Sequence, residues 1–154
     1  MVNMYSTTNT TNGNPQPTQS VNSINIWQQN VNRSSTCQHS LISSVALAKR
    51  GINIVALQEP PINSFGTTIA AQEWIPVYPS THNVEPTKTR SRILIRSNIL
   101  TDQWRQVDFP SGDVTIISIQ GSWGKLTLYN IYNNCIKNDT ICSGNISALR
   151  TRKV

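Results

Sequence analysis

Two short apolar runs in this chain end in residues that could handle a metal ion or a phosphate. The first, INIWQQN at residues 24–30, finishes on Gln29 and Asn30. The second, INIVALQE at residues 52–59, finishes on Gln58 and Glu59 ahead of Pro60. If the runs are neighbouring parallel strands, both polar ends share the carboxyl edge of one sheet, where open α/β folds place their sites. There Glu59 could hold Mg²⁺ or Mn²⁺ through oxygen, and the Asn30 carboxamide could orient that carboxylate or touch a phosphate. Spacing alone leaves an equal alternative, in which Glu59 is an exposed strand-end acid and Asn30 a turn former.

Few other groups are available for such chemistry. The carboxylates are Glu59, Glu73, Glu85, Asp102, Asp108, Asp113 and Asp139, and the histidines are His39 and His82. Neither histidine adjoins an aspartate in sequence; His39 falls in a helical stretch and His82 in a loop. Cys37, Cys135 and Cys142 lack CxxC or Cys/His zinc spacing and read as reduced packing thiols. The sequons beginning at Asn9, Asn32, Asn138 and Asn145 are expected by chance in a chain so rich in Asn, Ser and Thr. Cations crowd residues 88–96: Lys88, Arg90, Arg92 and Arg96. On a strand, the even-numbered Arg90, Arg92 and Arg96 would share a face that could track a DNA backbone, or simply be solvated. Trp27, Trp74, Trp104 and Trp123 lie near or within strand-like runs, so core or hairpin packing is expected of them rather than base stacking.

The elements that must position these groups fit one modest domain: 154 residues, 37% hydrophobic and 13% charged, with a formal charge of +6 that favours an anionic partner. No run approaches the ~20 apolar residues of a membrane span, and no signal peptide is visible, so a soluble intracellular protein is expected. Residues 1–23, rich in Asn, Thr, Ser, Gln and Pro, read as a disordered tail. The domain then spans residues 24–154. Its first strand alternates Ile24, Ile26 and Gln28 against Asn25, Trp27 and Gln29, as if buried on both faces. A single helix is expected to about Arg50, stopped by Gly51. The run at residues 52–59 completes a βαβ unit. A loop leads through WIPVYPS and the basic stretch to a strand expected at ILIRSNI, and further strands are expected at QWRQVDF, VTIISIQ and KLTLYNIYN, the last two forming a hairpin through the Gly121 to Gly124 turn. Another helix begins near Ser143.

In order and interval, IWQQN, IVALQEPP, WIPVYPSTH, RSRILI and LTLYNIYNNC resemble the endonuclease/exonuclease/phosphatase family, and most of all the endonuclease domains of fungal non-LTR (LINE-type) retrotransposons. The resemblance spans residues 24–149. It implies an α/β fold, the N-terminal half of a two-sheet α/β sandwich of the DNase I-like type. It further implies Mg²⁺ (or Mn²⁺) as cofactor, DNA as partner, a nuclear location, and nicking of a target site by phosphodiester hydrolysis. Carried over residue by residue, Glu59 is the implied metal ligand, Asn30 the implied support of metal and phosphate, and Tyr132 the implied contact to the scissile phosphate.

The family's Gly-Asp-x-Asn segment and its terminal Asp-His pair have no counterpart here. Gly112-Asp113-Val114-Thr115 precedes Tyr132 and carries Thr in place of Asn, so a turn entering a strand is expected instead. A missing general base commonly costs 10²–10⁴-fold in rate, so the chain is expected to be truncated at its C-terminus and inactive. The alternatives are a non-enzymatic remnant that binds nucleic acid weakly, and another phosphodiesterase or phosphatase of the same superfamily.

Overall fold

Residues 23–69 and 71–133 are described by a computed structural model. The expected tail up to residue 22, the expected helix near Ser143, and Cys135 and Cys142 lie outside the described residues. Short apolar runs build two sheets. The first contains β1 (Ile26–Asn30), β2 (Ile54–Gln58), β3 (Trp74–Val77) and β4 (Ser91–Arg96) in the order β1-β2-β4-β3. In it β1 and β2 are parallel, whereas β4 runs antiparallel to β2 and β3. The second sheet contains β5 (Trp104–Val107), β6 (Val114–Gly121) and β7 (Gly124–Ile131), all antiparallel. Gly124, at φ 108°, closes the β6–β7 hairpin opposite Gly121, as its sequence suggests.

Because side chains alternate across a strand, each face of the first sheet feeds its own core. Ile54, Val77, Ile93 and Ile95 meet Ile117 and Ile119 of β6 between the sheets. Val55, Leu57, Trp74 and Leu94 point the other way, onto Val31, Ile42, Leu47 and Ile52. Trp27 packs against this second core, and Trp104 and Trp123 against the first. The first strand departs from expectation: with β2 as its neighbour in the sheet, β1 is only partly buried, whereas β2 is buried along almost its whole length.

The helical stretch also departs from expectation, forming α1 (Ser35–Ile42) and α2 (Val45–Lys49) rather than one rod. Ser34 caps α1 by accepting the Cys37 amide at 3.1 Å, and Ser44 accepts the Leu47 amide at 3.3 Å. Serine hydroxyls compete for backbone groups, so the Ser43-Ser44 pair ends one helix and starts the next. Among the described residues no helix is long and apolar enough to cross a membrane.

The sheets are locked together by a buried amide. Asn130 of β7 donates to the Leu57 carbonyl at 2.8 Å and to the Arg92 carbonyl at 2.9 Å. Its own backbone carbonyl accepts the Ser91 hydroxyl at 2.8 Å. Each side-chain bond serves a buried carbonyl, so Asn130→Ala should destabilise the protein by about 2–4 kcal/mol. Urea unfolding should show this as a lower midpoint at unchanged slope.

Candidate functional site

The parallel register sets Asn30 opposite Gln58, which brings the ends of β1 and β2 to one edge. Beyond the ladder the Val31 amide still donates to the Gln58 carbonyl at 2.9 Å. The chain then turns through Asn32 and Arg33, both left-handed at φ 47° and 55°, before α1 starts. Glu59 is left-handed too, at φ 50°. Its amide donates to the Arg90 carbonyl at 2.8 Å, and its carbonyl accepts the Arg33 amide at 2.7 Å. Non-glycine residues in this region cost about 1–3 kcal/mol each and persist where their surroundings over-determine them, most often at functional sites. Here hydrogen bonds on both sides of the Glu59 Cα fix the side chain's direction. The Asn30 Nδ2 donates to Glu59 Oε1 at 3.2 Å, and Asn30 Oδ1 accepts the Asn32 amide at 2.7 Å. Asn30 therefore holds the carboxylate while being held itself.

Tyr132 arrives from the other sheet. Gln58 Nε2 donates to the Ile131 carbonyl at 2.7 Å, so the residue before Glu59 is tied to the residue before Tyr132. The Tyr132 amide donates to the Asp113 carbonyl at 2.8 Å. Arg90 completes the join. Its Nε and Nη2 donate to Asp113 Oδ1 and Oδ2, each at 2.6 Å, and its guanidinium lies 4.9 Å from the Tyr132 ring centre. One residue thus grips Glu59 through its backbone and faces Tyr132 through its side chain.

Beside this junction opens a cleft of about 410 Å³, lined by Arg33, Thr87, Lys88, Arg90, Ser111 and Gly112 together with Asp113. Gly112 is required there, because a Cβ would stand 2.5 Å from the Lys88 carbonyl oxygen. As expected, Gly112 and Asp113 form a turn into β6.

The expected row of DNA-facing arginines needs correction. Arg92 and Arg96 do share a face of β4, but it is the face covered by the second core. Arg92 is 0% exposed, with its guanidinium 4.8 Å from the Tyr78 ring centre and Nη1 donating to the Ile69 carbonyl at 3.3 Å. Burial pulls its pKa down to about 10, so it stays charged at neutral pH. Arg96 pairs with Glu73 at 2.8 Å and lies over Trp74. Arg90 precedes the strand and is committed to Asp113. A phosphate cannot reach Arg92, and the other two carry protein partners.

Among the described residues neither histidine is hydrogen-bonded to Glu59. His39 is exposed on α1. His82 is buried, with Nε2 2.7 Å from the Gly66 carbonyl and Nδ1 2.6 Å from the Thr89 hydroxyl. A carbonyl can only accept, so Nε2 carries the proton and Nδ1 accepts from Thr89. Cys37 is partly buried and accepts from Gln29 Nε2 at 3.4 Å, in keeping with a packing thiol. Among the described residues no cluster of three or more His, Cys, Asp or Glu side chains exists that could hold a metal. The fit to Mg²⁺ therefore rests on Glu59, which suits an ion that keeps several waters and takes one or two carboxylates.

No protein-family model matches the sequence, and no curated protein matches it. Among solved structures, the endonuclease domain of TRAS1, a telomere-specific non-LTR retrotransposon, is similar to this chain with a TM-score of 0.51 at 15% sequence identity. The described residues adopt part of a DNase I-like sandwich. The similarity covers 71% of this chain but only 44% of that one, so this chain spans less than half of that neighbour. At this identity the likeness carries the fold and no residue role.

Sequence reasoning passed over Arg33, Asn130 and the Arg90–Asp113 pair. The first was hidden because left-handed arginine has no sequence mark. The others depend on contacts between elements distant in sequence.

The His82 clamp gives a pH signature. Burial lowers its pKa; the Gly66 carbonyl opposes this, and the Arg92 charge adds to the lowering. The unfolded chain therefore takes up the proton first, near its ordinary value of about 6.5. The clamp's contribution is complete above that pH and is lost as pH falls below it toward the lowered folded value. The slope of Tm against pH just below 6.5 should be shallower in His82→Gln than in the unaltered protein, as scanning calorimetry would measure.

Proposed function

We propose that this chain is a nuclease-like domain whose Glu59 edge is the metal- and phosphate-binding side of a Mg²⁺-dependent DNA endonuclease site. The observation that carries the reading is the left-handed Glu59, fixed by Arg33 and Arg90 through its backbone and by Asn30 through its carboxylate, at the carboxyl edge of a DNase I-like sheet. Glu59 would hold the divalent metal, with Asn30 holding that carboxylate. When bound, Mg²⁺ would supply charge against phosphate and make its water more acidic. Tyr132 is assigned to contact phosphate, with Arg90 setting its ring. Arg33 on the cleft is assigned to a neighbouring phosphate, in place of the buried Arg92, whereas Lys88 there pairs with Glu85. A chromosomal DNA target would also place the protein in the nucleus.

A nucleic-acid binder without turnover is the second reading, and a specific observation favours it for the chain alone. Proton transfer needs a base within hydrogen-bond reach. Both Asp113 carboxylate oxygens are turned to Arg90, and His82 is enclosed by Gly66 and Thr89. The 154-residue chain should therefore bind DNA yet leave supercoiled plasmid intact in Mg²⁺. Nicking that disappears in Glu59→Ala at equal protein concentration would instead establish turnover.

Metal binding can be read independently of cleavage. With one carboxylate, affinity should be weak, around millimolar, because hard cations gain affinity from ligand charge. Mn²⁺ should broaden the NMR signals of Asn30 and Tyr132, and Glu59→Gln should abolish that effect. Equal broadening in both proteins would remove Glu59 from the role.

A further inference from the structure

The His82 ring is buried where several segments meet. Nε2 donates to the Gly66 carbonyl at 2.7 Å, and Nδ1 accepts the Thr89 hydroxyl at 2.6 Å. The ring stacks on Tyr78, with centres 4.0 Å apart and 15° between the planes. The Tyr78 hydroxyl in turn accepts the Thr68 amide at 3.3 Å, and the Arg92 guanidinium lies 4.8 Å from the Tyr78 ring centre. A neutral imidazole suits these partners, because one nitrogen must donate and the other accept.

Thr89 is buried as well and leads directly into Arg90. The Arg90 amide donates to the Gly112 carbonyl at 2.8 Å, its side chain holds Asp113, and its carbonyl accepts the Glu59 amide. Arg90 and the turn before β6 therefore form one unit, which meets Glu59 on one side and the Tyr132 ring on the other. His82 ties the segment entering that unit to the Gly66 turn and to Tyr78.

A second proton on the ring upsets this arrangement. Both ring nitrogens then donate, so the Thr89 hydroxyl must turn its hydrogen away within the interior. The imidazolium also joins Arg92, a cation already buried, and among the described residues no carboxylate is hydrogen-bonded to either. Of the acids near in sequence or packing, Glu85 pairs with Lys88, Asp108 takes the Ser80 hydroxyl at 3.1 Å and Asp113 is taken by Arg90. A buried charge without a partner is costly, and moving the ring toward water relieves the cost. We propose that His82 is a proton-operated latch on the Glu59 edge: the neutral ring holds Thr89, and through it Arg90, against Glu59 and Tyr132, and the charged ring lets that segment go. The edge is complete at neutral pH and loosens as pH falls below about 6.5, the ordinary midpoint of a histidine. As a control on metal or DNA binding, the latch rests on the reading of Glu59 given above.

NMR on the full chain, free of metal and DNA, tests the latch between about pH 8 and about pH 5. As His82 becomes charged, protection of the Glu59 amide from hydrogen exchange, corrected for the intrinsic rate at each pH, should fall about tenfold. Protection of the Ile117 amide in the core should hold, and the Tyr132 ring signals should move with the midpoint of His82. His82→Gln does not titrate and should show no such step at Glu59. Thr89→Val keeps the histidine but lacks the hydroxyl, and it too should lose the step, which separates the bond from the charge alone. Unchanged Glu59 protection while His82 titrates, a His82 that stays neutral throughout, or an equal step in both variants would overturn the latch. A parallel fall at Ile117 would make the event global acid unfolding and overturn it as well. Each of these results leaves the metal reading of Glu59 standing, and failure of the Mn²⁺ titration leaves the latch standing.

Discussion

The hydrogen bond from the Glu59 amide to the Arg90 carbonyl extends the β2–β4 ladder one step past the end of β2, and the edge depends on it. On its other side β2 runs parallel to β1, so the carbonyl of Glu59 is free to take the Arg33 amide from the turn after β1. A residue bonded to different chain segments through its amide and its carbonyl has little freedom in φ and ψ. The left-handed backbone of Glu59 is the geometric result. Pro60 would by itself favour an extended conformation at Glu59, so the surrounding bonds outweigh a local preference.

That constraint propagates to the second sheet through polar side chains rather than through the apolar core. Isoleucines between the sheets bring the layers together, but hydrophobic contact is not directional and tolerates sliding. Gln58 and Asn130 supply direction, each donating a side-chain amide to a carbonyl of the opposite sheet. Leaving such groups buried without partners is expensive, so alternatives in which the sheets slip are disfavoured. Tyr132 lies two positions beyond Asn130 in the chain, and its position relative to Glu59 inherits this precision.

Periodicity and turn chemistry are written locally, and the features they govern are legible in the sequence. The short apolar run of β2, the alternation in ILIRSNI, the glycines around the β6–β7 hairpin and the polar ends of β1 and β2 are all local signals, and they yield the sheet edge and the neighbourhood of Glu59. The helix break was less legible, because Ser43 and Ser44 interrupt a pattern whose apolar spacing continues through them. Arg92 shows the limit most sharply. Its even-numbered spacing gave the right face of β4, but whether a face meets solvent or a second core is decided by elements distant in sequence, and an arginine on a strand reads as exposed until the covering loop is known.

Arg90 shows why cation number does not translate into phosphate affinity. A guanidinium that makes two parallel bonds to a carboxylate has its fork filled, and drawing a phosphate to it would leave Asp113 facing the loss of both bonds. Its value lies in geometry: the ion pair holds a planar cation over the Tyr132 ring while the same residue's carbonyl holds Glu59. Counterion release depends on charges that actually neutralise phosphates, at roughly 0.9 in the logarithmic salt slope for each. With Arg90 engaged, Arg92 enclosed and Lys88 paired with Glu85, the charge excess of the chain overstates what the cleft can offer a phosphate.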